Sequence, residues 1–223
     1  MKKTLMLLTA CIIGSYSFGQ YTEEEMNENS AKAKEILDNA HAKIESYLTI
    51  KAEFTFKLIN KQEGVNDTKE GQVFVKGDKY KLVMPNADIF CNGETVWTYL
   101  KNEYECNVTN ADEADDSFLN PAKIFTKYKT GFKYRLFKEY TENGKEYAEI
   151  HLFPLEPGKE KYSRIVVVVD KTNAHIQSFI QKDKSGTDYI IEIKQFSPNF
   201  PLTNSFFEFK QEDHPDVEVI DMR

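Results

Sequence analysis

Residues 71–100 read GQVFVKGDKY KLVMPNADIF CNGETVWTYL, and the fold can be read outward from them. Three short apolar runs are separated by Gly77-Asp78, Pro85-Asn86 and Asn92-Gly93. Dipeptides of this kind between alternating runs mark tight hairpins of antiparallel strands. If each is a two-residue turn, Val75 faces Tyr80, Val73 faces Leu82, Leu82 faces Ile89, Met84 faces Ala87 and Ile89 faces Val96. One face then carries Val73, Val75, Tyr80, Leu82, Met84, Ile89 and Val96, a continuous apolar surface, because cross-strand neighbours stand about 5 Å apart. The other face, with Phe74, Lys81, Phe90, Trp97, Tyr99 and Tyr104, is mixed and aromatic. The same arithmetic sets Cys106 against Trp97 and puts Cys91 on the opposite face. A disulfide requires Cα atoms about 4.4–6.8 Å apart, so the two thiols are expected to stay free.

Upstream, apolar residues recur every three or four positions at Ala33, Ile36, Leu37, Ala40, Ile44 and Tyr47, which predicts an amphipathic helix over 23–47. An alternating strand over 48–60 follows, carrying Phe54, Phe56 and Leu58. Downstream, a turn at Lys101-Asn102 leads into a strand over 103–109. An acidic loop over 112–116 comes next, then a short helix over 122–128 that Asn120 can cap with Pro121 at its first position. Strands resume over 132–139, 146–153, 163–170, 176–182 and 187–196. Two short extended pieces, 206–209 and 217–220, close the chain. About eleven strands with two inserted helices predict a mainly β (α+β) single domain. Its one large antiparallel sheet must curl, because open sheets of this size rarely stay flat. Such a sheet has an apolar concave face that only the helices can cover. Either they close a solid core, or they leave a cavity for an apolar ligand.

The first residues read as an export leader. Lys2 and Lys3 precede an apolar run over 5–13 that is too short to span a bilayer, which needs about 20 residues. Ser17 and Gly19 suit the small-residue positions before a cleavage, leaving residues 20–223 as the mature domain outside the cytoplasm. Leu8-Thr9-Ala10-Cys11 also fits a leader that ends at a lipidated cysteine. The formal net charge of −7 deepens to −9 when Lys2 and Lys3 leave. That balance excludes nucleic acid, which needs cations to replace phosphate counterions. Mean hydropathy of −0.56 agrees with a soluble mature chain.

Nothing in the sequence points to catalysis. His41, His151, His175 and His214 are scattered without metal-ligand or triad spacing, and no serine sits in a nucleophile elbow. Asp112, Glu113, Asp115 and Asp116 lack the EF-hand pattern and read as a solvated loop. No cofactor, metal or oligomer is expected; the chain reads as a monomeric binding protein.

One ordered set is distinctive: Phe54-Thr-Phe56 after the amphipathic helix, then Glu70-Gly71-Gln-Val-Phe-Val-Lys76 and Asn92-Gly93-Glu-Thr-Val-Trp97-Thr-Tyr99. The Asn120-Pro121 helix follows, with Phe206-Phe-Glu-Phe209 and Val217-Glu-Val-Ile-Asp221 at the end. In this order the sequence resembles the LolA family of periplasmic outer-membrane lipoprotein carriers, in particular versions from Bacteroidetes, over nearly all the mature chain. The resemblance implies an incomplete β-barrel of about eleven strands under a lid of α-helices. It implies a periplasmic chaperone that moves triacylated lipoproteins from the inner-membrane Lol ABC exporter to an outer-membrane acceptor, LolB-like or otherwise. An anchored acceptor, or another lipid-binding or envelope-stress-sensing protein of the same superfold, is the alternative. The expected lining is Phe54, Phe56, Val73, Val75, Tyr80, Leu82, Met84, Ile89, Val96, Tyr134, Ile150 and Val167, with Ile36, Leu37, Ala40, Ile44, Ile124 and Phe125 on the lid. Many members carry an arginine after the Val-Lys pair that ties lid to barrel. Gly77 stands there, which leaves Lys79 and Arg135 as the candidate replacements.

Overall fold

A computed structural model describes residues 23–112 and 131–223. Helix α1, Glu23–Glu45, opens the described chain, close to its predicted span. Twelve strands follow: β1 (Ile50–Asn60), β2 (Val65–Lys76), β3 (Lys79–Val83), β4 (Ala87–Cys91), β5 (Thr95–Leu100), β6 (Glu105–Asn110), β7 (Phe132–Glu142), β8 (Lys145–Pro154), β9 (Tyr162–Asp170), β10 (His175–Asp183), β11 (Thr187–Pro198) and β12 (Glu218–Asp221). They form one sheet in the order β12-β6-β5-β4-β3-β2-β1-β11-β10-β9-β8-β7. Two meanders are thus joined at the middle, where β1 pairs with β11, while β12 and β7 remain as separate edges. The sheet curls without closing, as the strand count predicted.

The registers of β2, β3 and β4 follow the two-residue turns. Val75 faces Tyr80, Val73 faces Leu82 and Leu82 faces Ile89. Gly77, at φ 57°, adopts the left-handed conformation that the first of these turns requires. The register across β4 and β5 differs from expectation. Ile89 faces Thr98, and Cys91 faces Val96. The cause is Asn92, whose Oδ1 accepts hydrogen bonds from the backbone N–H of Glu94 and Thr95 and widens the loop to four residues. A shift of two residues preserves each residue's face, so Val96 stays on the apolar side. The loop after β5 is also four residues long, so Cys106 faces Tyr99 rather than Trp97. Cys91 and Cys106 are both buried and free, on opposite faces of the sheet.

The tail corrects a second expectation. Residues 204–207 form a 3-10 turn, and β12 pairs parallel to β6, so the sheet is not wholly antiparallel. Between them the tail crosses the outer face of β2–β6. Phe206 sits edge-on to Phe74 at 4.9 Å between ring centres, Phe209 packs on Phe90 at 5.9 Å, and His214 lies 4.8 Å from Tyr99. Phe207 and Cys106 are fully buried on this side. The mixed aromatic face is therefore a second core rather than a solvated surface.

On the inner face the principal core joins Ala33, Leu37 and Ala40 of α1 to Phe54, Leu82, Leu136, Ile150, Val167, Phe179 and Ile191. Gly71 lets Phe54 of this core meet Met84, which packs against it. A Cβ built there would lie 2.5 Å from Met84 Sδ and 2.6 Å from Phe54 Cζ.

Candidate functional site

The site is the trough inside the sheet. Period-two alternation on β1 and β2, together with a register shift in each of β10 and β11, aims one apolar set inward, and α1 lies across it. Beneath the C-terminal end of the helix, the trough keeps an apolar cavity of about 70 Å³. Ile44 closes it from the helix. Ile50 and Ala52 of β1 and Val73 and Val75 of β2 form one wall; Ile176 and Phe179 of β10 with Ile193 and Phe196 of β11 form the other. His175 is the one polar side chain in this lining. A dry apolar cavity of about 150 Å³ accommodates benzene, so the space shown here is too small for an acyl chain while α1 lies in place.

Small residues let α1 lie close to the sheet: Ala33 and Ala40 are fully buried, with Leu37 at 1 % exposure between them. Polar contacts flank this stripe at both ends. Lys32 meets Glu139 of β7 at 2.5 Å, and Lys171 meets the other oxygen of the same carboxylate at 2.6 Å. The Lys171 and Lys32 hydrogen bonds hold the Glu139 carboxyl below the usual range. At the other end, Tyr47 Oη and His175 Nε2 are hydrogen-bonded at 2.8 Å, with Phe196 packed on both rings. Burial lowers the His175 pKa, an effect that Lys43 reinforces and Asp170 opposes.

The expected lining falls into three groups. Val73 and Val75 border the cavity. Phe54, Phe56, Leu82, Met84, Ile89, Tyr134, Ile150 and Val167 belong to the principal core beneath and beside α1. Tyr80 and Val96 instead form a separate cluster with Cys91, with Val75, Ile89 and Ala111 packed against it. Of the lid residues, Ile36, Leu37, Ala40 and Ile44 lie on α1 and join the core. Ile124 and Phe125, the short helix carrying them, most of the acidic loop and the leader fall outside the described residues. The two candidate replacements for the family arginine point elsewhere. Lys79 Nζ donates to the Asn92 carbonyl at 2.6 Å, and Arg135 pairs in register with His151 on the outer face. Lys32 and Glu139 join helix to sheet instead.

Sequence reasoning missed Glu139, Ile50, Ala52, His175, Ile176, Phe179 and Phe196. For Glu139 the reason is a bulge between Leu136 and Lys138. It reverses the alternation along β7 and brings Glu139, opposite fully buried Ala148, to the inner face. One extra residue in β10, between Ile176 and Ser178, and one in β11, opposite the Glu53–Phe54 step, likewise bring Ile176 and Phe196 to the inner face against the alternation. Ile50 and Ala52, by contrast, continue the alternation of Phe54 on β1, a signal the sequence does carry.

Two larger hollows are more polar. One, of about 400 Å³, lies where β2 runs past the end of β3, with Phe54 and Met84 among Glu53, Glu70, Lys101 and Lys194. The other, of about 300 Å³, lies on the outer face beside Lys81, Phe206 and His214. Among the described residues, no group of His, Cys, Asp or Glu could hold a metal ion.

Residues 26–182 match the protein family described as outer membrane lipoprotein carrier protein LolA. Among solved structures, an uncharacterized conserved protein from Thermus thermophilus aligns over 85 % of this chain and 99 % of its own, at 13 % identity and a TM-score of 0.57. That likeness is one of fold. The lipoprotein LppX of Mycobacterium tuberculosis (11 % identity, 78 % of this chain and 98 % of its own, TM-score 0.48) and a LolA superfamily protein from Nitrosomonas europaea (11 %, 79 % and 97 %, TM-score 0.45) are more distant. No curated protein matches the chain.

Proposed function

Because this chain belongs to the outer membrane lipoprotein carrier protein LolA family, we propose that it binds the acyl chains of triacylated lipoproteins in the trough. It then ferries them across the periplasm from the inner-membrane Lol exporter to an acceptor at the outer membrane. The observation that carries the proposal is an apolar trough, walled by strands from both meanders and covered, among the described residues, by helix α1.

Magnitudes favour exchange of helix for ligand. Burying a methylene contributes about 0.8 kcal/mol, so one sixteen-carbon chain contributes on the order of 12 kcal/mol. The buried leucine and alanines of α1, with its half-buried isoleucines, contribute on the order of 5 kcal/mol by the same measure. An acyl chain can therefore displace α1, and the helix's tendency to return favours release at the destination. Flexible Met84 suits a wall that must accept chains without fixed shape. The protein acts here as a carrier rather than a catalyst.

Depletion in the host tests the proposal: lipoproteins should accumulate at the inner membrane, and a normal distribution would sink it. Mass spectrometry of the protein purified from its host should find bound lipoprotein or acyl chains. A second reading rests on Leu8-Thr9-Ala10-Cys11. Acylation of Cys11, detected with a palmitate analogue, would make the protein an anchored acceptor, whereas a shuttle requires cleavage near Gly19.

A further inference from the structure

Where α1 ends, the loop into β1 and the loop leaving β11 form one apolar tip. Leu48 on the first is 82 % exposed and Phe200 on the second 36 %, with Pro198 and Pro201 exposed on either side of Phe200. A lone exposed leucine is ordinary. These residues are instead grouped, on loops that hydrogen bonds hold in place. Asn199 takes the left-handed conformation, φ 56°, which is uncommon outside glycine. Its N–H donates to the Thr49 carbonyl at 2.7 Å, and its Oδ1 accepts the Leu48 N–H at 3.0 Å. Thr49 Oγ1 donates to the Phe200 carbonyl at 2.5 Å. These bonds tie Leu48 to the chain leaving β11 and not to α1, so the tip stays built when the helix moves. It also adjoins the trough: Ile44, Ile50 and Phe196, close to Leu48 and Phe200 in the chain, all line the cavity.

Two lysines stand behind the apolar front. Lys76 is level with Thr49, and Lys51 lies two residues further in. At roughly 3.4 Å per residue they follow Leu48 by about 3 and 10 Å. Lys76 Nζ donates to the Leu202 carbonyl at 3.2 Å and has no acidic partner among the described residues. Lys51 Nζ lies 5.5 Å from the centre of the Phe200 ring and 3.3 Å from Glu53. Exposed apolar groups of this kind mark protein or membrane contacts. Hydrocarbon in front and ammonium behind is the layering of a phospholipid surface, acyl chains first and phosphates above them. We infer that the Leu48–Phe200 tip docks the protein on a phospholipid bilayer, with both side chains entering the hydrocarbon edge and Lys51 and Lys76 meeting the lipid phosphates. Such docking does not depend on the acyl-chain reading, but it sets the mouth of the trough against the lipid.

Sedimentation of the exported protein with vesicles of phosphatidylethanolamine and phosphatidylglycerol tests this. The parent should bind, and Leu48→Ser combined with Phe200→Ser should weaken binding at least about tenfold, the effect of losing one buried apolar side chain or more. Leu48→Ser alone alters only an exposed side chain and should weaken it in the same direction with an unchanged Tm. In Leu48→Trp, vesicles carrying brominated acyl chains should quench emission beyond the parent, whose only tryptophan is Trp97. A parent that does not bind vesicles overturns the inference, as does equal binding by the double variant or no added quenching in Leu48→Trp. A dimer of the parent that Leu48→Ser dissolves, without vesicle binding, would assign the tip to a second copy and overturn it too. Acyl chains found in the purified protein alongside any of these results would leave the trough reading intact.

Discussion

Lys32 on α1 and Glu139 on the inner face of β7 meet at 2.5 Å across the helix–sheet interface, and Lys171 shares the same carboxylate. Glu139→Gln keeps the shape and removes the charge. Because Lys32 and Glu139 are both partly solvated, the expected loss is roughly 0.5–1 kcal/mol. It should appear as faster amide exchange along α1 rather than as a large fall in Tm. The Glu139 pKa is held down in the folded state. Its contribution is therefore present above the unfolded value, about 4.3, and is lost as pH falls through the lower folded value. Exchange measured at descending pH should show α1 loosening in that window, and Glu139→Gln should remove that response.

Leu37→Ala opens space beneath the centre of α1, where the side chain is 1 % exposed. A buried leucine-to-alanine change costs about 2–5 kcal/mol when it acts on the whole fold. If α1 is a displaceable cover, the loss falls on its docking equilibrium. Binding of a hydrophobic dye should then rise sharply while the sheet's far-UV signal persists. Simultaneous loss of both signals would show the helix to be an inseparable part of the core.

At Gly71 the close approach of Met84 Sδ and Phe54 Cζ leaves no room for a methyl group. Gly71→Ala should destabilise the protein by about 1–3 kcal/mol through overpacking. Adding Phe54→Leu should recover part of that loss, since the smaller side chain vacates the contact. Thermal melts of the single and double variants check the pair.

His175 titrates below its ordinary value because of burial. The unfolded chain therefore takes up a proton first as pH falls, and stability declines from about pH 6.5 down to the folded value. Lys43 adds to this lowering and Asp170 resists it. Imidazole signals followed by NMR should place His175 below about 6.5, the ordinary histidine value. Replacing Lys43 with Gln should raise it.

Cys91 and Cys106 are buried on opposite faces. Burial raises both thiols, Cys106 to about 11, which suppresses the reactive thiolate. Alkylation should be slow in the native protein and quick at both sites after denaturation, even without reductant. Failure to label either one after denaturation would show a disulfide.

The sequence made the inner face legible wherever turns were short. Gly77-Asp78 and Pro85-Asn86 set two registers outright, and Val73, Leu82 and Ile89 line up as their spacing requires. Asn92 defeated the next register because its side chain, not the Asn-Gly dipeptide alone, decides the loop length. Glu139 was hidden by one extra residue in β7, since a bulge leaves no mark in an alternation pattern. The tail was illegible for another reason. Its partners on β2–β6 lie about a hundred residues away, and its parallel pairing with β6 has no turn to announce it. Helix α1, by contrast, was plain from its stripe, because Ala33, Leu37, Ala40 and Ile44 share one face whatever they pack against.

The seam between β1 and β11 also bears on timing. Asn60 and Thr187, hydrogen-bonded across it at 3.0 Å, are 127 residues apart. Whether the chain emerges from a ribosome or threads through a membrane pore, its first strand must wait for nearly the last before the middle of the sheet can form. Until then the polypeptide consists of two separate ribbons, each built from neighbouring hairpins. Closing so long a loop is slow. A chain kept in this unjoined state can still be threaded, so the topology defers folding until almost all of it has passed through.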